Sequence, residues 1–174
     1  MSFKTFLRKK RKLWHKHFVP SLIAGICVAV VTFLFEFTAA NIVLFASVGA
    51  SAAILANFNS HHLTKLHTTI TSYVIAIIIS LILYGLNLFL NMPLYLNLFF
   101  VVFLIGLVIY LADSFHPPAI SAGVSFFLFE RNLSDLIYLF IAIVVLFILI
   151  RFFTYTISQR LPVKDFFVEF KREL

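Results

Sequence analysis

Long apolar runs, separated by short polar segments, dominate the chain. Four of these runs cover residues 18–37, 68–90, 94–111 and 136–152. Each is close to the roughly 20 apolar residues that a helix needs to cross the hydrocarbon core of a bilayer. The pattern therefore predicts an all-α fold, a polytopic membrane helical bundle with four long spans.

Two further apolar segments are shorter and rich in small residues. The first covers residues 41–57, and the second runs from Pro117 to Phe129. A helix of about 13 to 17 residues reaches only about 20–25 Å. Each segment therefore either crosses a thinned bilayer or is a re-entrant or half-helical piece buried in protein. Four and six crossings both remain open.

The order of long span, short segment and long span occurs twice, over residues 18–90 and 94–155. The two short segments also share small residues, as in the stretches 49–52 and 119–123. This suggests an internal repeat of the kind found in transport proteins, although small residues alone would give the same likeness.

The composition excludes an ordinary soluble domain. Of the 174 residues, 62% are hydrophobic and 12% are charged, against about 45–50% and about 25% in soluble domains. The single cysteine, Cys27, allows no intrachain disulfide and no cysteine-based metal site. Histidines 61, 62 and 67 lie in a polar loop without a nearby carboxylate, which favours a solvated loop over a metal site. We expect no metal and no cofactor.

Basic residues are concentrated at the start of the chain, where seven of the fourteen lie within the first sixteen positions. Apolar side chains alternate with them, so residues 1–17 are predicted to form a basic amphipathic helix on anionic lipid headgroups. A nucleic-acid partner is not expected. Residues 156–174 include a second amphipathic helix, which rests on the membrane or on a neighbouring copy in a homo-oligomer. The charge at both ends places both termini in the cytoplasm and the membrane domain, residues 18–155, in the cell membrane.

A polar stretch interrupts the apolar sequence at residues 113–123. Polar groups at membrane depth are costly and usually have a functional or packing role. Pro117 pushes His116 away from helical geometry, and proline is tolerated in the first turn of a helix. The preceding span is therefore predicted to break near His116, and a half-helix is predicted to begin near Pro118.

The start of this half-helix is the candidate anion site. Its unpaired N–H groups and the positive end of its dipole attract negative charge. His116 lies at its mouth, Ser121 and Ser125 lie four residues apart on one face, and Asp113 is placed to orient or pair with the imidazole. A simple helix–loop–helix connection would look similar, so both interpretations stand.

The small-residue segment with Ser47, Gly49 and Ser51 is expected to face this half-helix across the domain. Small side chains there allow a helix or a ligand to approach the backbone closely. These three residues therefore complete the predicted substrate-binding set.

The tetrapeptide from His116 to Ala119 follows a long apolar span that ends in an acid. It resembles the HPP family of small integral membrane proteins, which is named after the tripeptide His-Pro-Pro found here at residues 116–118. The family's small-residue segment before its middle spans is similar to residues 45–52. The resemblance covers residues 18–155 and implies four spans. It also implies transport, because some members in photosynthetic organisms and plastids are implicated in nitrite transport.

The leading hypothesis is therefore a channel or carrier for a small inorganic anion, with nitrite implied by the resemblance alone. The alternative is a non-transporting structural or regulatory membrane subunit that uses the two terminal helices as contact surfaces. An enzyme is not expected, because Asp113 and His116 lack further catalytic partners and no His-Glu-x-x-His or Gly-x-Ser-x-Gly motif is present.

Overall fold

A computed structural model describes residues 18–36, 46–56, 66–129, 132–154 and 156. These residues form helices, with no strand among them, which confirms the predicted all-α class. The helices are α1 (Val19–Glu36), α2 (Ala46–Leu55), α3 (Leu66–Leu90), α4 (Leu94–Leu111), α5 (Pro117–Leu128) and α6 (Leu133–Phe153).

Three of the described helices are long and apolar enough to cross a bilayer: α3 over His67–Leu90, α4 and α6. The apolar part of α1, Val19–Phe35, and helix α5 are shorter. The prediction of four long spans is therefore not confirmed, because the apolar part of α1, the described helix within the run at residues 18–37, falls below this length. The amphipathic helices predicted for residues 1–17 and 161–174 lie outside the described residues, as do residues 57–65 of the polar loop.

The surface of the bundle is apolar in a way that suits lipid rather than water. Phe89 is 84% exposed and Leu111 is 78% exposed, and large aliphatic and aromatic side chains are exposed along all three long helices. A continuous apolar surface of this kind is not stable against water. The exposed surface therefore agrees with the membrane environment that the composition predicts.

Helices α3 and α4 form the antiparallel hairpin that the short connection at residues 91–93 predicts. The Asn97 side chain holds it closed, because its Nδ2 donates to Asn87 Oδ1 and to the Met92 carbonyl oxygen, both at 3.1 Å. Asn91 has a φ of 46°, a left-handed conformation that asparagine adopts more readily than most residues. Asparagine at position 91 therefore suits the conformation that this turn requires.

The packing of the helices follows a symmetric pattern. The principal contacts of α1 are with α2 and α6, and those of α4 are with α5 and α3. Helix α2 also packs against α5 and α6, while α3 packs against α5 and α6. Exchanging the first three helices for the last three leaves this set of contacts unchanged.

Helix α5 packs most closely against α3 and α4 at Gly123. A Cβ atom at this position would lie 2.5 Å from Ile105 Cδ1, 3.1 Å from Val101 Cγ1 and 3.2 Å from Ser80 Oγ. A larger residue would require these side chains to move, and glycine is common at such close helix contacts in membranes. This contact fixes the depth of α5 in the bundle and thereby the position of the residues at its N-terminus.

Candidate functional site

The chain between α4 and α5 turns sharply and carries His116 into the protein interior. Asp113 has a φ of 48°, and the Ser114 N–H donates to the Ile109 carbonyl oxygen at 3.1 Å. His116 is extended, with φ −136° and ψ 91°, because Pro117 excludes the helical conformation from the residue before it. The predicted helix break at His116 is therefore present, and α5 begins at Pro117.

A chain of hydrogen bonds links His116 directly to the small-residue helix α2 and, through Ser51, to α3. Ser51 Oγ lies 3.0 Å from His116 Nε2 and 2.7 Å from the Tyr73 hydroxyl oxygen. The Tyr73 hydroxyl also donates to the Ser47 carbonyl oxygen at 3.3 Å. All four residues are 0% exposed. We call this set, together with Thr69, Ser72 and Ser114, the His116 cluster.

Helix α3 contributes a second link to the same region. The single Ser72 hydroxyl proton is shared between the Ser114 carbonyl oxygen and the Thr68 carbonyl oxygen one helical turn earlier. The first of these bonds ties α3 directly to the connection between α4 and α5. The cluster is therefore held from three sides, by α2, by α3 and by this connection.

Several polar atoms in the His116 cluster have no partner among the described residues. They are Ser47 Oγ, Thr69 Oγ1, Ser114 Oγ and His116 Nδ1, each fully buried. Leaving a buried donor or acceptor unsatisfied costs about 1–3 kcal/mol. Atoms of this kind are therefore available to a bound polar ligand or to water.

The hydrogen-bond chain has a direction, which the Ser47 carbonyl oxygen sets. A carbonyl oxygen only accepts, so the single hydroxyl proton of Tyr73 points to it. Ser51 must then donate to Tyr73, and Ser51 Oγ accepts from His116 Nε2–H. This is the arrangement that forms all three bonds at once. When the imidazole is neutral, this arrangement leaves Nδ1 without a proton, as a hydrogen-bond acceptor.

Several residues of the predicted site lie outside this cluster. Ser121 is exposed while Ser125 is buried, so their four-residue spacing does not give a shared binding face. Gly49 is exposed on α2, and a Cβ atom there would meet nothing within 4 Å. Pro117 is exposed and Pro118 is buried.

Asp113 does not orient the imidazole as the sequence suggested. Asp113 is exposed. Neither ring nitrogen of His116 contacts it, because Nε2 is hydrogen-bonded to Ser51 and Nδ1 has no partner among the described residues. The left-handed turn at Asp113 directs the chain so that Ser114 and His116 enter the interior while the acid stays outside.

The start of α5 offers fewer N–H donors than the sequence argument assumed. Pro117 and Pro118 occupy the first helical positions and have no N–H group. The Ala119 N–H donates to the His116 carbonyl oxygen at 3.0 Å. An anion at this site would therefore be bound mainly by side-chain hydroxyls and the imidazole, with the helix dipole as a secondary contribution.

Sequence reasoning missed the contribution of α3, because its polar residues lie inside a long apolar run. Thr69, Ser72, Tyr73 and Ser80 are all buried. Ser72 and Tyr73 lie three and four residues after Thr69, and Ser80 lies seven residues after Tyr73, so the four occupy one face of the helix. A search for polar positions at helical spacing within the apolar run would have found this face.

A second polar site lies at the other end of α5. It is a cavity of about 380 Å³ lined by Tyr84, Asn87, Met92, Leu94, Asn97, Phe126, Phe127 and Asn132. Asn97 Oδ1 is buried there without a partner among the described residues. No group of three or more His, Cys, Asp or Glu residues that could hold a metal ion occurs in the described ranges.

Apolar helices of spanning length around a buried polar cluster define a polytopic helical membrane protein. Residues 9–164 match the model of the family described as HPP, transmembrane region. The chain therefore belongs to this family, and the resemblance seen at residues 116–119 is confirmed. Searches of curated proteins and of solved structures returned no match.

Proposed function

We propose that this protein transports a small inorganic anion across the membrane and that the His116 cluster is the site through which the anion passes. One observation supports this most strongly. Four buried polar atoms, on Ser47, Thr69, Ser114 and His116, are left without described partners inside an otherwise apolar bundle. Polar groups in such surroundings are expensive to retain and usually mark a substrate path.

The chemistry of the cluster favours an anion over a cation. Its side chains are hydroxyls and an imidazole, and the positive end of the α5 dipole points toward it. Helices α2 and α5 contain no Asp or Glu within their bounds. The cluster is closed on all sides, with Ser47, Ser51, Tyr73 and His116 fully buried, so its ligand must be small. Membership of the HPP family makes nitrite the first anion to test.

We also propose that the bundle is an inverted repeat of two three-helix units, α1–α3 and α4–α6. The exchange symmetry of the helix contacts supports this. Asn87, near the end of α3, and Asn132, just before α6, line the same cavity, so α3 and α6 run in opposite directions. Ser51 and Tyr73 come from one unit and His116 from the other. Substrate sites between inverted units are a common feature of secondary transporters.

The orientation of the protein follows from its charge. We place it in the cell membrane with both termini in the cytoplasm, because seven of its fourteen basic residues precede position 17. Two inverted units of equal crossing number return the chain to its starting side, which agrees with this placement.

A flux screen tests the proposed function. Purified protein is reconstituted in liposomes, and uptake of nitrite, formate, nitrate and chloride is compared with uptake by protein-free vesicles of the same lipid. Faster uptake of at least one anion, nitrite first among them, supports transport. Equal uptake for every anion would overturn it and favour a structural or regulatory subunit.

A further inference from the structure

We propose that the His116 cluster accepts an anion only together with one proton, so that the protein carries small monovalent anions in a proton-coupled, electroneutral manner. This inference rests on the proposed transport function and names the ion that accompanies the substrate.

The direction of the hydrogen-bond chain carries the argument. The Ser47 carbonyl oxygen fixes the Tyr73 proton, Tyr73 fixes the Ser51 proton, and Ser51 Oγ therefore accepts from His116 Nε2–H. The neutral ring then presents the lone pair of Nδ1 to the interior. A lone pair repels an anion, so the neutral cluster cannot bind one at this atom.

Adding one proton reverses this chemistry. A proton from the aqueous phase bonds to Nδ1, and the resulting imidazolium donates from both ring nitrogens. Nε2–H keeps its bond to Ser51, and Nδ1–H donates to the anion. The bound pair has no net charge. A buried imidazolium without the anion, or a buried anion without the proton, would each be strongly disfavoured by desolvation.

Among the residues that the structure describes, no fixed counter-charge contacts the ring to hold the proton without an anion. The titratable group shown to face the imidazole is Tyr73 on α3, whose ring centre lies 5.8 Å from that of the imidazole. Helices α2 and α5 contribute no ionisable residue within their bounds.

The remaining ionisable groups on nearby elements leave the ring without a carboxylate partner. Asp113 and His67 are exposed, Tyr110 on α4 stacks on Phe115, and Arg151 on α6 lies over Phe147. The other ionisable residues of α6 are Asp135, whose carboxylate accepts from the Asn132 N–H, and Tyr138. Within the described part of the chain, no carboxylate hydrogen-bonds to the His116 imidazole.

Proton coupling is tested by measuring anion uptake and lumen pH in the same vesicles. Liposomes with the wild-type protein contain a pH-sensitive dye, and the membrane voltage is set with potassium and valinomycin. Protein-free vesicles correct for passive diffusion of the undissociated acid. We expect one proton to enter with each nitrite ion, at a rate independent of voltage.

Two different failures are distinguishable in this assay. Nitrite uptake that depends on voltage and leaves the lumen pH unchanged would overturn proton coupling while transport itself stands. No uptake of any anion above the protein-free level would overturn both proposals.

The variant His116→Gln tests protonation of the side chain separately from its hydrogen bond to Ser51. Its amide can still donate to Ser51 but cannot accept a proton. We expect coupled uptake to fall by about 10- to 100-fold, the loss of one hydrogen bond to a charged group. His67→Gln, which changes an exposed histidine at the start of α3, should leave uptake unchanged. Unchanged coupled uptake by a folded His116→Gln protein would contradict the inference.

A spectroscopic measurement on the wild-type protein is independent of whether that variant folds. The ¹⁵N chemical shifts of the imidazole report which ring nitrogen carries a proton. We expect the Nε2–H tautomer of His116 without nitrite and protons on both nitrogens with nitrite bound. The Nδ1–H tautomer without nitrite, or a ring that stays neutral when nitrite binds, would overturn the proposal.

Discussion

Ser51 Oγ and His116 Nε2 lie 3.0 Å apart, although 65 positions separate them in the chain. The bond joins helix α2 to the residue that precedes α5, so it connects the two short helices of the bundle. Both side chains are fully buried. A hydrogen bond in such surroundings is strong and also expensive to break, because water does not replace the lost partner. It therefore fixes the position of the imidazole, and the direction that Tyr73 and the Ser47 carbonyl oxygen give to the chain favours the Nε2–H tautomer.

Tyr73→Phe should loosen this arrangement without removing the histidine. The change deletes the hydroxyl that orients Ser51, so we expect a loss of about 1 kcal/mol in the free energy of unfolding and a mixture of imidazole tautomers. Thermal unfolding in detergent and ¹⁵N spectra measure the two effects. Tyr95→Phe alters an exposed tyrosine of α4 and is the control. A single Nε2–H tautomer in Tyr73→Phe would show that the hydroxyl does not direct the chain.

Gly123→Ala should destabilise the junction of α3, α4 and α5. The added methyl would lie 2.5 Å from Ile105 Cδ1 and 3.1 Å from Val101 Cγ1, both in fully buried side chains. Overpacking of this kind costs about 1–3 kcal/mol, which a lowered melting temperature in detergent would report. Gly25→Ala is the matched control, because a Cβ atom there meets nothing within 4 Å. Equal melting temperatures for the two variants would contradict the close packing described at Gly123.

Asn97→Ala should weaken the hairpin of α3 and α4 more than Asn87→Ala does. Asn97 donates to both the Asn87 side chain and the Met92 carbonyl oxygen, whereas the Asn87 side chain accepts one of these two bonds. We expect a loss of about 1–3 kcal/mol for Asn97→Ala and a smaller loss for Asn87→Ala. The double variant should resemble Asn97→Ala alone. Additive losses would mean that the two side chains act independently.

Cysteine labelling should place the two ends of α4 on opposite sides of the membrane. Helix α4 has 18 residues and so reaches about 27 Å, close to the hydrocarbon thickness. In a Cys27→Ala background, a cysteine at Asn91 and one at Ala112 should react with an impermeant maleimide from opposite faces of oriented vesicles. Reaction of both from the same face would show that α4 does not cross.

The local features of the fold were predictable because they depend on neighbouring residues. The bounds of α4 follow from an uninterrupted apolar run, and the turn at residues 91–93 follows from Asn and Pro. The break at His116 follows from the steric effect of Pro117 on the residue before it. Helix α1 covers Val19–Glu36, close to the apolar run that predicts it, although its apolar part is shorter than that of the three long helices.

The candidate site was only partly predictable, because it depends on contacts between distant segments. Tyr73 and Thr69 enter the cluster through the packing of α3, which the apolar pattern does not reveal. A spacing of four defines a shared helix face for Ser121 and Ser125 but not which neighbour that face contacts, so the exposure of Ser121 was not predictable. The exposure of Asp113 depends on its left-handed turn, which the sequence pattern does not show. The start of α5 offers fewer N–H donors than expected for a simpler reason, since Pro117 and Pro118 have none.

The most direct test of the central claim is the nitrite flux of His116→Ala compared with that of His67→Ala in liposomes of the same lipid. Both variants are first shown to be folded by thermal unfolding in detergent. If the anion passes through the His116 cluster, His116→Ala falls to the protein-free rate while His67→Ala transports like the wild-type protein. A folded His116→Ala protein that transports nitrite at the wild-type rate would contradict the account.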